Sequence, residues 1–71
     1  MSGNILIYGK DDCPYTVEAK KEFARQKIPY HYYDVKKNRN AYAVMLKITG
    51  GAQKVPVIVD GGNIRIGFGG T

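Results

Sequence analysis

A chain of 71 residues has room for one small domain, spanning residues 1–71, and a domain of that size buries only about 60% of the surface its unfolded chain exposes. Eleven Lys and Arg against six Asp and Glu give a net charge of +5, and 44% hydrophobic with 24% charged residues is a globular rather than a disordered composition. One cysteine excludes an internal disulfide, and Cys13 and His31 as the sole soft ligands exclude a structural zinc site.

Ile5 to Tyr8 is a short apolar run bounded by Gly3 and Gly9 and reads as a buried strand. Pro14 to about Gln26 reads as a helix with proline at its first position. Ala19, Phe23 and Ala24 give that helix an apolar face, and its basic residues fall largely outside it. Tyr30 to Val35 follows as a second strand, on which residues 30 and 32 share one face while 31 and 33 share the other. This places His31 as an exposed strand residue with no catalytic constellation. After a polar loop from Lys36 to Asn40, Ala41 to Thr49 has helical periodicity and stops at Gly50-Gly51. Val57 to Val59 is a third strand, and Asp60-Gly61-Gly62-Asn63 is a hairpin turn into Ile64 to Ile66. The order β-α-β-α-β-β predicts an α/β layer: the first crossover gives a parallel pair and the final hairpin adds antiparallel strands.

The longest apolar runs are far short of the ~20 residues that cross a bilayer, and no basic-then-apolar leader opens the chain. A reducing, cytoplasmic setting is the expectation. The basic residues are dispersed, with no helix-turn-helix or RNA-binding signature, so a solvated basic face is expected rather than a nucleic-acid partner.

Chemistry concentrates at Asp11-Asp12-Cys13-Pro14-Tyr15-Thr16. With Pro14 opening the helix, Cys13 is its N-cap, facing free backbone N–H groups and the positive end of the helix dipole. Both stabilise a thiolate and make Cys13 a nucleophile near neutral pH. Lys10 acts in the same direction, Asp11 and Asp12 oppose it where they lie close, and the Thr16 hydroxyl can donate to the sulfur. The polar neighbours favour this reading over Cys13 as an apolar filler.

Cys13-Pro14-Tyr15-Thr16 resembles the C-P-Y-C active site of glutaredoxins with threonine at the second cysteine. Lys54-Val55-Pro56 is similar to the family's T-V-P segment, and the Asp60 to Asn63 hairpin follows where the family has one. The resemblance runs over about residues 4–70. It implies a thioredoxin-like fold, with a four-stranded mixed sheet, and a cis bond before Pro56. It also implies that Val55 offers its main chain to a bound peptide or to glutathione. Tyr15 is then expected to flank the substrate groove, and Lys10, Arg39 and Lys54 are candidates for the carboxylates of a glutathione-like ligand. Gly69, Gly70 and Thr71 occupy the family's glutathione-binding ending, without its aspartate.

Gly67-Phe68 looks closer to the glutaredoxin-like redoxins that serve ribonucleotide reductase, many of which do not use glutathione. The Cys-x-x-Thr motif with a G-F-G-G-T ending is also similar to the glutaredoxin-like UXX-star group, whose members carry selenocysteine or cysteine at the position of Cys13. The sequence stops where glutaredoxins begin their last helix. An uncovered apolar sheet face, self-associating or holding a partner, is therefore expected.

Three functions compete. The first is a monothiol thiol–disulfide oxidoreductase using Cys13, with Pro14 and Thr16 shaping the site, glutathione or protein thiols as partners, and no tightly bound cofactor or metal. The second is a dimer sharing a [2Fe–2S] cluster through Cys13 and glutathione; relatives of that kind carry C-G-F-S, and Pro14 with Tyr15 crowds such a site. The third is a non-catalytic binding domain, which an ordinary thiol pKa would favour.

Overall fold

The computed structural model describes residues 5–69. Its elements run β1 (Ile5–Gly9), α1 (Pro14–Arg25), β2 (Tyr30–Asp34), α2 (Arg39–Thr49), β3 (Val57–Asp60) and β4 (Asn63–Ile66). The sheet order is β2-β1-β3-β4, with β1 and β2 parallel and the β1–β3 and β3–β4 pairs antiparallel. This is the mixed four-stranded sheet expected of a thioredoxin-like fold, and among the described residues no third helix follows β4.

Both faces of β1 are covered, which is why its sequence is apolar throughout. Ile5 and Ile7 pack with Ile58 against Ala19 and Phe23 of α1. Tyr8 packs with Val57 against Ala41 and Met45 of α2, and Leu6 lies on the same cluster. The tyrosines of β2 divide by parity. Tyr30 and Tyr32 join the α1 side, while Tyr33 stacks on Tyr8 at 5.3 Å between ring centroids.

Element ends shift for identifiable reasons. α1 stops at Arg25 because Lys27 turns left-handed (φ 60°), and the N–H groups of Lys27 and Ile28 reach back to the carbonyls of Ala24 and Phe23. That is a Schellman ending with lysine where glycine is usual. α2 begins at Arg39 rather than Ala41, since Asn38 caps it by accepting the Ala41 N–H at 3.0 Å. β2 ends one residue earlier than expected, yet Val35 stays buried and donates its N–H to the Gly9 carbonyl at 2.8 Å.

On the sheet face beside α1, polar and apolar side chains mix. A groove of about 400 Å³ is lined by Phe23, Ile58 and Phe68 together with polar Glu22, Asp60 and Arg65. Phe68 packs onto the cluster of Ile5, Ile7 and Ile58. The exposed large apolar residues of β4, Ile64 and Ile66, pair with Val59 and Val57 and so lie on the opposite face.

Candidate active site

Parallel pairing sets the C-terminal ends of β1 and β2 side by side, with Gly9 opposite Asp34. The antiparallel pairing of Tyr8 with Val57 brings the segment entering β3 to that same end. The β1–α1 loop, the turn after β2 and Val55-Pro56 therefore all emerge at one edge of the sheet.

Cys13 is the N-cap of α1 (φ −94°, ψ 118°), with Pro14 beginning the helix. The loop is closed by the Cys13 N–H donating to the Lys10 carbonyl at 3.1 Å, and the Cys13 carbonyl accepts the Val17 N–H at 3.0 Å. The half-buried thiol is subject to opposing influences. Burial pushes its pKa up, but the Thr16 hydroxyl, the backbone N–H groups of Thr16 and Tyr15, and the charge of Lys10 outweigh it, so the pKa lies below the ordinary thiol value.

Thr16 is fully buried, although its residue type is usually exposed. Its Oγ1 accepts the Lys10 N–H at 3.3 Å, which leaves the hydroxyl proton for the sulfur. Room for it comes from Gly9: a Cβ there would lie 2.5 Å from both Thr16 Cγ2 and Oγ1. Gly9 reads in the sequence only as a strand boundary. Its bond to site geometry is a close approach that periodicity does not signal.

The other expected site residues fall into four groups. Tyr15 is 40% exposed at the start of α1, and Gly69 comes beside it, a Cβ at Gly69 lying 3.7 Å from Tyr15 Cδ1. The Val55–Pro56 bond is cis, and the buried Pro56 accepts the Gly67 N–H on its carbonyl at 2.8 Å. Gly70 and Thr71 lie outside the described residues. Arg39 and Lys54 are exposed, at the start of α2 and just before Val55.

Sequence reading missed the partners of the two acids preceding Cys13. Asp11 is bound by Lys37 and Tyr32, and Asp12 by Lys36. The parallel β1–β2 pair carried the signal, since residues following adjacent parallel strands emerge together. Among the described residues, no group of three or more His, Cys, Asp or Glu side chains is placed to hold a metal ion. Among them, too, no helix is long and apolar enough to cross a membrane.

No curated protein matches the chain. Among solved structures, a glutaredoxin from Archaeoglobus fulgidus superposes with a TM-score of 0.82 at 22% identity, covering 97% of this chain and 78% of that one. A thioredoxin-like protein reaches 0.84 at 29% identity, over 92% of this chain and 88% of its own. Buckwheat glutaredoxin, crystallised as a complex with glutathione, reaches 0.74 at 24% identity over 89% of this chain, which spans 59% of the buckwheat protein. The sequence matches the glutaredoxin family over residues 5–64. That match takes in the cysteine N-cap, the cis proline and most of the sheet, and the chain belongs to the glutaredoxin family.

Proposed function

We propose that this protein is a thiol–disulfide oxidoreductase working by a monothiol cycle through Cys13. The observation that carries the reading is the thiol at the N-terminus of α1, where the Thr16 hydroxyl, the backbone N–H groups of Thr16 and Tyr15 and the charge of Lys10 lower its pKa. The Cys13 thiolate attacks one sulfur of a mixed disulfide formed between a protein thiol and glutathione. A bond forms between Cys13 Sγ and the glutathione sulfur, the original disulfide bond breaks, and the protein thiol leaves as its thiolate. A second glutathione thiolate then attacks the glutathione sulfur bound to Cys13, releasing glutathione disulfide and restoring the Cys13 thiolate. Thr16, with no thiol, cannot displace the first adduct, so resolution comes from outside the chain.

Helix N-terminal donors favour the thiolate as attacking group in the first step and as leaving group in the second. Tyr15 with Gly69, the main chain of Val55 and the ammonium of Lys10 are the groups proposed to receive glutathione.

The test is Cys13 alkylation against pH and, on separate unalkylated protein, incubation with glutathione disulfide read by mass spectrometry. An inflection below the free-thiol value, with one glutathione adduct that free glutathione removes and Cys13→Ser abolishes, is the expected result. An inflection near ~8.5 with no adduct would refute the reading.

A further inference from the structure

Chain connectivity sets two carboxylates immediately before the nucleophile, and negative charge beside a thiolate disfavours it. Both carboxylates are occupied. Asp11 Oδ2 accepts from Lys37 Nζ at 2.9 Å and its Oδ1 accepts the Tyr32 hydroxyl at 2.8 Å. Asp12 Oδ2 accepts from Lys36 Nζ at 3.1 Å. The backbone is held from the same side: Asp34 Oδ2 accepts the Asp11 N–H at 3.2 Å, while its Oδ1 accepts the N–H groups of Lys36 and Lys37 at 2.8 and 3.3 Å. A single side chain at the end of β2 thus joins the active-site loop to the turn that carries both lysines.

We infer that Lys36 and Lys37 are positioning residues for Cys13: they draw Asp11 and Asp12 onto the β2–α2 turn and cancel the charge these carboxylates would otherwise set against the thiolate. The inference deepens the proposed exchange reaction and rests on that reading of Cys13. Lys10, Lys36 and Lys37 balance Asp11, Asp12 and Asp34, so the cluster is neutral; without the two turn lysines it carries two net negative charges. Other titratable groups on the adjoining elements include Tyr15, Glu18 and Lys20 on α1, Tyr32 on β2 and Lys54 before Val55, with the Lys20 ammonium 3.8 Å from the centre of the Tyr32 ring. The pairing is visible in the acids themselves. The Lys37 and Tyr32 hydrogen bonds hold Asp11 down to about 2, and Lys36 lowers Asp12. Because these ion pairs are exposed, each contributes little to folding, and their consequence falls on the neighbouring thiol.

The experiment measures Cys13 alkylation by iodoacetamide against pH at low ionic strength. It compares wild type with Lys36→Met/Lys37→Met, Lys36→Arg/Lys37→Arg, and Asp11→Asn/Asp12→Asn/Lys36→Met/Lys37→Met. Two unpaired carboxylates near the sulfur are expected to slow alkylation below the inflection about threefold in the methionine pair. That loss should fade near ~1 M salt, where screening acts within ~3 Å. The arginine pair should keep the wild-type profile, and the quadruple variant should regain it. Wild-type rates in the methionine pair at low salt would overturn the inference. So would a quadruple variant as slow as the methionine pair, because the lysines would then act on the sulfur without the acids. A wild-type inflection at the free-thiol value refutes the exchange reaction instead, and the comparison between variants still decides the clamp.

Discussion

Gly9→Ala tests the packing that underlies the site. The added methyl would sit 2.5 Å from Thr16 Cγ2 and Oγ1 and 3.0 Å from its Cβ, whereas unstrained carbon contacts lie at ~3.5–4.0 Å. A displacement of about 1 Å is needed, and Thr16 has no exposed surface to move into. Overpacking of this kind costs roughly 1–3 kcal/mol. For a chain this short, each such kcal/mol lowers Tm by about 4–8 °C. Urea denaturation followed by circular dichroism should show a lower midpoint with an unchanged slope. The same displacement moves the hydroxyl that faces Cys13, so the alkylation inflection should rise along with the loss of stability. Gly9→Ala/Thr16→Ala separates the two effects: it relieves the clash and recovers much of the midpoint, but not the inflection, because the hydroxyl is gone. A Gly9→Ala protein with wild-type midpoint and wild-type inflection would refute the idea that this glycine exists to seat Thr16.

Three further outcomes follow from the site's polar groups. Thr16→Val keeps the shape but removes the acceptor of the Lys10 N–H and the donor to the sulfur. Alkylation should therefore inflect at higher pH and stability should fall by about 1–3 kcal/mol, while Thr16→Ser should retain the wild-type inflection. The sign of the thiol's pH linkage is fixed by its lowered folded pKa: its contribution to stability is complete above the unfolded thiol pKa and is lost as pH falls through the folded one. Urea midpoints measured across that window should rise with pH in wild type and do so less in Thr16→Val. At the acid end, Asp11 titrates at about 2 when folded against an ordinary 3.8, so its contribution is complete above 3.8 and is lost as pH falls toward 2. Because the pair is exposed that contribution is small, and Asp11→Asn should flatten the midpoint profile only slightly in that interval; a steeper profile in Asp11→Asn would refute the assignment.

The legibility of this protein divides along the range of its interactions. Periodicity located every strand and both helices, because burial on one face or two writes itself into neighbouring residues. Cys13 as the N-cap of α1 was also a local inference, since Pro14 at the first helical position fixes which residue caps the helix. Boundaries failed where a side chain competed with the pattern: Asn38 starts α2 early by capping it, and Lys27 ends α1 by adopting a conformation that glycine normally supplies. The cis bond before Pro56 came from family resemblance alone, because no local pattern distinguishes it from a trans proline opening a strand. The contact of Gly9 with Thr16 and the pairing of Asp11 and Asp12 with Lys37 and Lys36 were not read. Gly9 meets a residue seven positions away, and the acids meet lysines more than twenty positions away. Yet the second case was recoverable. Once β1 and β2 are known to be parallel neighbours, the residues that leave their C-terminal ends must meet, and two acids then face two lysines beside the nucleophile. What the sequence lacked there was not information but the register, Gly9 opposite Asp34, that converts two remote charge pairs into one site.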